Sequence, residues 1–203
     1  KNPIFQFMEQ RGDIRMGATL VNMLAENGDP RLPFYVAKDG DGNYTGSEAG
    51  SENTSASAPG SYNAAATAPS ILMSYSELKF IEAEAKFMLG QAGALAAYEA
   101  AVAASVLRVT GNANTAWLAA NINGVTLTLE VIMKQKYIAG FSTNQPYSDY
   151  RRTGYPNLSL ANGAVTGSNT TSLDKRGKFI QDMHTFLKTG RIELMRPGSK
   201  SSS

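Results

Sequence analysis

The chain has 203 residues, 42% hydrophobic and 18% charged, enough apolar side chain to bury a core and too much for a wholly disordered segment. Nineteen Lys and Arg against seventeen Asp and Glu leave +2, too little to draw nucleic acid or an anionic membrane by charge alone. With no cysteine and one histidine (His184), disulfides, thiolate or His-cluster metal sites and a cysteine nucleophile are excluded, and no apolar run reaches membrane-spanning length.

Taken in chain order, the sequence predicts a mainly helical protein. The chain opens at Lys1 without Met and reads as an internal piece of something longer. Leu20, Val21 and Leu24 fall at helical spacing and predict a helix over 13–27, stopped by Asn27 and Gly28 and barred from continuing by Pro30. Residues 31–36 read as a short extended stretch, with Pro33 confining it to an edge. A long loop over 38–69 follows, rich in Gly, Ser, Asn, Thr and Ala, with a hairpin turn expected at Asp41 and Gly42.

The strongest helical signal covers 74–89. It has a serine cap at Ser74 or Ser76, one apolar stripe of Leu78, Ile81, Ala85 and Met88, and another of Phe80, Ala83 and Phe87. Two stripes predict packing on two sides. A second helix over 94–110, rich in alanine, follows a short Gly-containing link, so the pair reads as a helical hairpin of the tetratricopeptide type. A short helix is expected over 115–121, and another over 126–139 capped by Thr126 or Thr128, with Leu129, Ile132, Met133 and Tyr137 buried and Lys134 and Lys136 off that face. Residues 145–156 read as irregular chain, 161–172 as a loop and 178–188 as a weak helix.

Several segments carry a family resemblance: 10–15 (QRGDIR) leading to 27–35 (NGDPRLPFY), then 75–85 (YSELKFIEAEA), 134–141 (KQKYIAGF) and 147–156 (YSDYRRTGYP). In this order they resemble the SusD/RagB family of Bacteroidetes nutrient-binding lipoproteins, over roughly residues 2–160. The resemblance implies a mainly α fold built on tetratricopeptide-like helix pairs and lipid anchoring at the outer membrane, facing outward. It also implies partnership with a SusC-like TonB-dependent transporter, and binding of an oligosaccharide or other oligomeric nutrient without a cofactor and without hydrolysis. An interaction scaffold that docks the transporter without touching ligand is the alternative. On this reading 1–173 is the C-terminal portion of a SusD-like domain. Residues 174–203 depart from the family's ending and read as an added tail.

Sugar recognition needs aromatic faces beside amides, and the candidates are Tyr44, Tyr62 and Asn63 in the long loop and Trp117 with Asn121. Trp117 also reads as a core residue. Glu77, Glu82 and Glu84 share a helix but no cleft, which argues against a glycosidase pair. Glu77 or Glu84 is instead expected to form an ion pair with Arg151 or Arg152, because an arginine fork matches a carboxylate. Asp39, Asp41 and Asn43 space oxygen ligands like the start of a calcium loop, but Tyr44 and Gly50 stand where such a loop needs Gly and Glu, so a plain turn competes with a weak calcium site.

Overall fold

The computed structural model describes residues 1–162. The helix expected over 178–188, most of the 161–172 loop and the 174–203 tail lie outside the described residues. Those described form nine helices and no named strand, with two isolated bridges, Gly17 to Ser47 and Val36 to Pro59.

Helix α1 (Pro3–Gln10) was not anticipated, although its start is written in the sequence. Asn2 Oδ1 accepts from the Ile4 amide at 2.8 Å, and Pro3 sits in the first turn, where its missing N–H costs nothing. The helix expected over 13–27 shrinks to α2 (Ala18–Ala25). Its first residues are taken by the loop instead: the Met16 amide donates to Ser57 O at 2.8 Å, Ser47 to Met16 O at 2.8 Å and Ala18 to Ser47 O at 2.9 Å. Such long-range backbone pairing has no periodicity to read.

Residues 31–36 are not extended. They form a helical turn, α3 (Leu32–Tyr35), before Val36 turns extended, because proline is as well suited to a first helical turn as to a sheet edge. The long loop carries a short helix, α4 (Ser61–Ala64).

Helices α5 (Tyr75–Met88) and α6 (Ala94–Thr110) form the expected hairpin. Ser74 Oγ accepts from the Glu77 amide at 3.1 Å to start α5, and Gly111, at φ +70°, ends α6. The short α7 (Thr115–Asn121) and α8 (Leu129–Ala139) complete this layer, with Thr128 Oγ1 capping α8 through the Val131 amide at 3.2 Å. The stretch expected to be irregular is helical over α9 (Gln145–Thr153) and ends at Gly154 with φ +78°. It has almost no apolar side chains to betray its period, and its inward contacts are ionic.

One core gathers Phe80 and Ala83 of α5, Ala97, Tyr98, Ala101 and Val102 of α6, Leu118 and Ile122, and Ile132 and Met133 of α8. A second gathers Met16, Leu20, Val21 and Leu24 with Tyr35, Val36, Val109 and Ile138. Helices α6 and α8 therefore serve both. The two-sided burial expected of α5 is corrected: Phe80 and Ala83 are buried and Phe87 half-buried, but Leu78, Ile81 and Met88 are 50%, 45% and 65% exposed.

Arg31 ties the two cores together and is wholly enclosed. Its Nε and Nη2 donate to the two oxygens of buried Asp29 at 2.9 and 2.6 Å, and its Nη1 and Nη2 reach Ser105 Oγ of α6 at 3.0 Å and Gln135 Oε1 of α8 at 2.7 Å.

Two buried tyrosines set an alkaline limit. Burial pushes the Tyr35 hydroxyl up to about 12, and burial raises Tyr98 as well. Unfolded tyrosines ionise near pH 10. Above that pH the unfolded chain sheds protons that the folded chain keeps, so stability falls as pH rises from about 10 to 12, at roughly 1.4 kcal/mol per pH unit for each such group. Urea titrations at pH 8 and pH 11 are expected to show a lower midpoint at pH 11, with Tyr35→Phe narrowing the gap.

Candidate functional site

The start of α5, the end of α8 and the segment that follows it enclose, with α1 and α4, a cavity of about 240 Å³. Helix α5 supplies Ser76, Glu77 and Phe80 and its cap Ser74, α4 supplies Tyr62 and Asn63, and α6 supplies Arg108. Phe141, Ser142, Thr143 and Gln145 complete the lining beyond α8. A second cavity of about 430 Å³, lined by Met16, Leu20, Pro59 and Tyr137, shares Ile4, Asn63, Phe141, Ser142 and Thr143 with the first. Those shared residues are the partition between the two.

Asn63 is the best buried polar residue of the partition, at 9% exposure. Its Oδ1 accepts from Ser142 Oγ at 3.1 Å, while its Nδ2 finds no partner among the described residues. Ser142 sits at φ +64°, a conformation that L residues seldom adopt and that is often associated with functional positions. Arg108 donates to the Tyr62 hydroxyl and to Ala139 O (3.2 Å), and its guanidinium carbon lies 5.6 Å from the centre of the Tyr62 ring. Its Nε is likewise unpartnered. Behind them Tyr62 meets Tyr35 edge to face at 5.4 Å, and Tyr35 meets Phe141 at 5.1 Å. The half-buried Glu77 makes no ion pair among the described residues.

Gly60 positions α4. A Cβ there would lie 2.4 Å from Phe34 O and 2.8 Å from the Tyr35 carbonyl carbon, while the Gly60 amide donates to Tyr35 O at 2.8 Å. Gly60→Ala therefore forces backbone to move, and a loss of about 1–3 kcal/mol is expected in chemical denaturation.

Beside the cavity, four charges close on one another. Lys136, 6% exposed rather than off the buried face as its spacing suggested, lies 3.3 Å from Glu84 and 3.0 Å from Asp149. Arg152 pairs with Glu84 and lies 2.8 Å from Asp149. Of the four residues proposed for an ion pair, Glu84 and Arg152 are thus together and the other two are not. Arg151 is exposed and its guanidinium lies 5.5 Å from the Tyr147 ring, and Glu77 faces the cavity. Glu82 is held by Lys79 and Lys86, each at 2.7 Å, and those hydrogen bonds draw its carboxyl down to about 2, the wrong direction for a general acid at neutral pH.

The other sequence candidates disperse. Tyr62 and Asn63 line the cavity, whereas Tyr44, Trp117 and Asn121 line neither cavity. Tyr44 packs on the second core with Lys38 5.9 Å from its ring. Trp117 packs on the first core and donates from Nε1 to Asn27 O at 2.8 Å, and Asn121 donates to the Trp117 carbonyl at 3.0 Å. Asp39 uses its carboxylate within its own turn, accepting from the Asp41 and Asn43 amides (3.0 and 2.8 Å) and from Thr45 Oγ1 (2.8 Å). The Asn43 amide contributes most to holding that carboxyl below its usual range. Asp39, Asp41 and Asn43 thus lie in a turn closed by these hydrogen bonds. Sequence reading missed Arg108, Ser142 and Gln145, each of which reaches the cavity only through tertiary folding.

The described residues thus form a helical scaffold that carries a small cavity of mixed aromatic, amide and charged lining. The chain belongs to the SusD-like family: the family SusD-like_2, described as "Starch-binding associating with outer membrane", matches residues 1–179. A solved structure described as a chitin-binding protein superposes with a TM-score of 0.67 at 25% identity, over 94% of this chain and 50% of that one. The chain thus spans about half the length of that structure. Among curated proteins nothing matches.

Proposed function

We propose that this chain binds a glycan for uptake at the cell surface, acting with a TonB-dependent outer-membrane transporter and holding its ligand without turnover. The observation that carries the binding reading is the cavity itself. It combines apolar surface from Ile4, Ile71 and Phe141 with the polar side chains of Glu77, Ser142, Thr143 and Gln145, in a chain whose family is described as starch-binding. A polyhydroxylated ligand offers hydrogen-bond donors and acceptors to such a lining, and its apolar ring faces suit the rest. The family description supports the outer-membrane setting; lipid anchoring and the transporter partnership are part of the proposal.

Isothermal titration against a panel of starch, chitin, cellulose and xylan oligosaccharides tests the reading. Saturable binding of at least one oligomer, with no shortening of it on prolonged incubation, is expected. A chain that binds none, or that cleaves one, overturns it. A docking scaffold is the second reading, favoured by the open apolar stripe of Leu78, Ile81 and Met88 on α5. Pull-down by the transporter in the absence of any oligosaccharide ligand favours it.

A further inference from the structure

Resting on the glycan-binding reading, we propose a second sugar subsite, apart from the cavity beside α5. The outward face of α2, with Glu48, Asn157 and Ser159, takes an uncharged sugar ring that bears adjacent hydroxyls. The face follows from helix geometry. Leu20, Val21 and Leu24 turn inward to the second core, so Thr19, Asn22, Met23 and Glu26, at i, i+3, i+4 and i+7, share the opposite side. They form one wall of a cleft of about 390 Å³, and Glu48, Asn157 and Ser159 form the other. Backbone bonds hold the walls together. The Ala18 amide donates to Ser47 O at 2.9 Å, beside Glu48, and the Asn162 amide donates to Ala49 O at 2.7 Å, bringing the chain beyond Asn157 back to the same loop. Gly50 permits that approach, since a Cβ there would lie 2.4 Å from Asn162 O.

The lining is polar and open. Asn22, Glu48, Asn157 and Ser159 are exposed, and their side chains make no hydrogen bond to one another across the cleft. Sugar hydroxyls both give and accept hydrogen bonds. A carboxylate accepts from two adjacent hydroxyls at once, while amides and hydroxyls serve in either direction. Met23, half-buried against the second core, offers an adaptable apolar patch to the C–H face of a ring. Charge decides the class of sugar. Glu48 forms no ion pair among the described residues, and Lys134 is already engaged by Glu26 at 2.6 Å. A uronate or sulfated sugar therefore brings a negative charge that the cleft has no open cation to meet. An ammonium meets Glu48, but a single ion pair at an exposed site gains little.

The test is backbone amide NMR of the chain during titration with six trimers. Four are neutral: maltotriose, cellotriose, xylotriose and the N-acetylglucosamine trimer. Two are charged: trigalacturonate and the glucosamine trimer. At least one neutral trimer is expected to shift the amides of Asn22, Met23, Glu48 and Asn157 saturably. Glu48→Ala and Asn157→Ala are each expected to weaken that binding at least tenfold, with circular dichroism melts establishing that both are folded. Trigalacturonate is expected to bind the cleft at least tenfold more weakly than the best neutral trimer, and Glu48→Gln to narrow that gap to threefold or less. If a variant fails to fold, the shift map of the parent chain decides. Shifts confined to residues of the first cavity such as Thr143, tighter binding of either charged trimer, or folded variants that bind as the parent does overturn the subsite and leave glycan binding standing. No shift anywhere, with these trimers or with the wider panel, removes both.

Discussion

Arg31→Met is expected to destabilise the fold by about 3–5 kcal/mol, the range for breaking a buried ion pair by removing one partner. The side chain is fully enclosed, and Asp29 beside it has 2% of its own side chain exposed. Removing the guanidinium strands that carboxylate and also leaves Ser105 and Gln135, on two different helices, without their shared partner. Methionine keeps most of the volume, so a cavity is not the main cost. Urea denaturation monitored by circular dichroism measures the loss. A double variant, Arg31→Met with Asp29→Leu, is expected to recover a substantial part of it, because replacing both members of a buried pair by apolar groups removes the uncompensated charge. A single variant within 1 kcal/mol of the parent would show that the arginine is not the tie between the cores.

Lys136→Met is the second large effect, expected at about 3 kcal/mol, near the low end of the same range. Among the described residues Arg152, whose side chain is 52% exposed, is then the one cation left on the two carboxylates, Glu84 and Asp149, with the Gln145 amide 3.5 Å from Asp149. Helix α9 is expected to loosen first, since Lys136 of α8 meets its one buried residue, Asp149, at 3.0 Å. Arg151→Ala is the control on the same helix. Its guanidinium is exposed above Tyr147, and a change within about 0.5 kcal/mol is expected. Thermal melts of the three proteins distinguish the cases. If Arg151→Ala costs as much as Lys136→Met, the assignment of the buried network is wrong.

The parts of this fold that were legible in the sequence are those whose information is local. Helices α5, α6 and α8 carry uninterrupted periodicity, serine or threonine caps, or a glycine stop, and their bounds fall within a few residues of expectation. Where the deciding partner is distant in sequence, reading fails for a definite reason. The start of α2 is unwound by Ser47 and Ser57 of the loop. Helix α9 has ionic rather than apolar inward contacts, so it leaves no hydrophobic period. Lys136 looks like a solvated lysine until Glu84, 52 residues earlier, is folded against it.

The site divides in the same way. Tyr62 and Asn63 were visible as an aromatic beside an amide in a long loop. Arg108 was hidden at the end of an alanine-rich helix, and Ser142 in a turn that gives no sign of its left-handed backbone. Arg31 was quoted for its place in the NGDPRLPFY segment, and only its neighbours in space reveal that it is buried.

The open ridge of Leu78, Ile81 and Met88 on α5, continued by Leu72 and Met73 just before it in the chain, has a practical consequence for anyone handling the molecule. Water gains by leaving such a ridge, and any oily surface, a plastic wall or a second molecule among them, offers it that chance. Ammonium sulfate sharpens the tendency, while chilling and dilution blunt it. Purified alone, the chain keeps best cold, dilute and in low-sulfate buffer, and salting-out is the step at which losses concentrate.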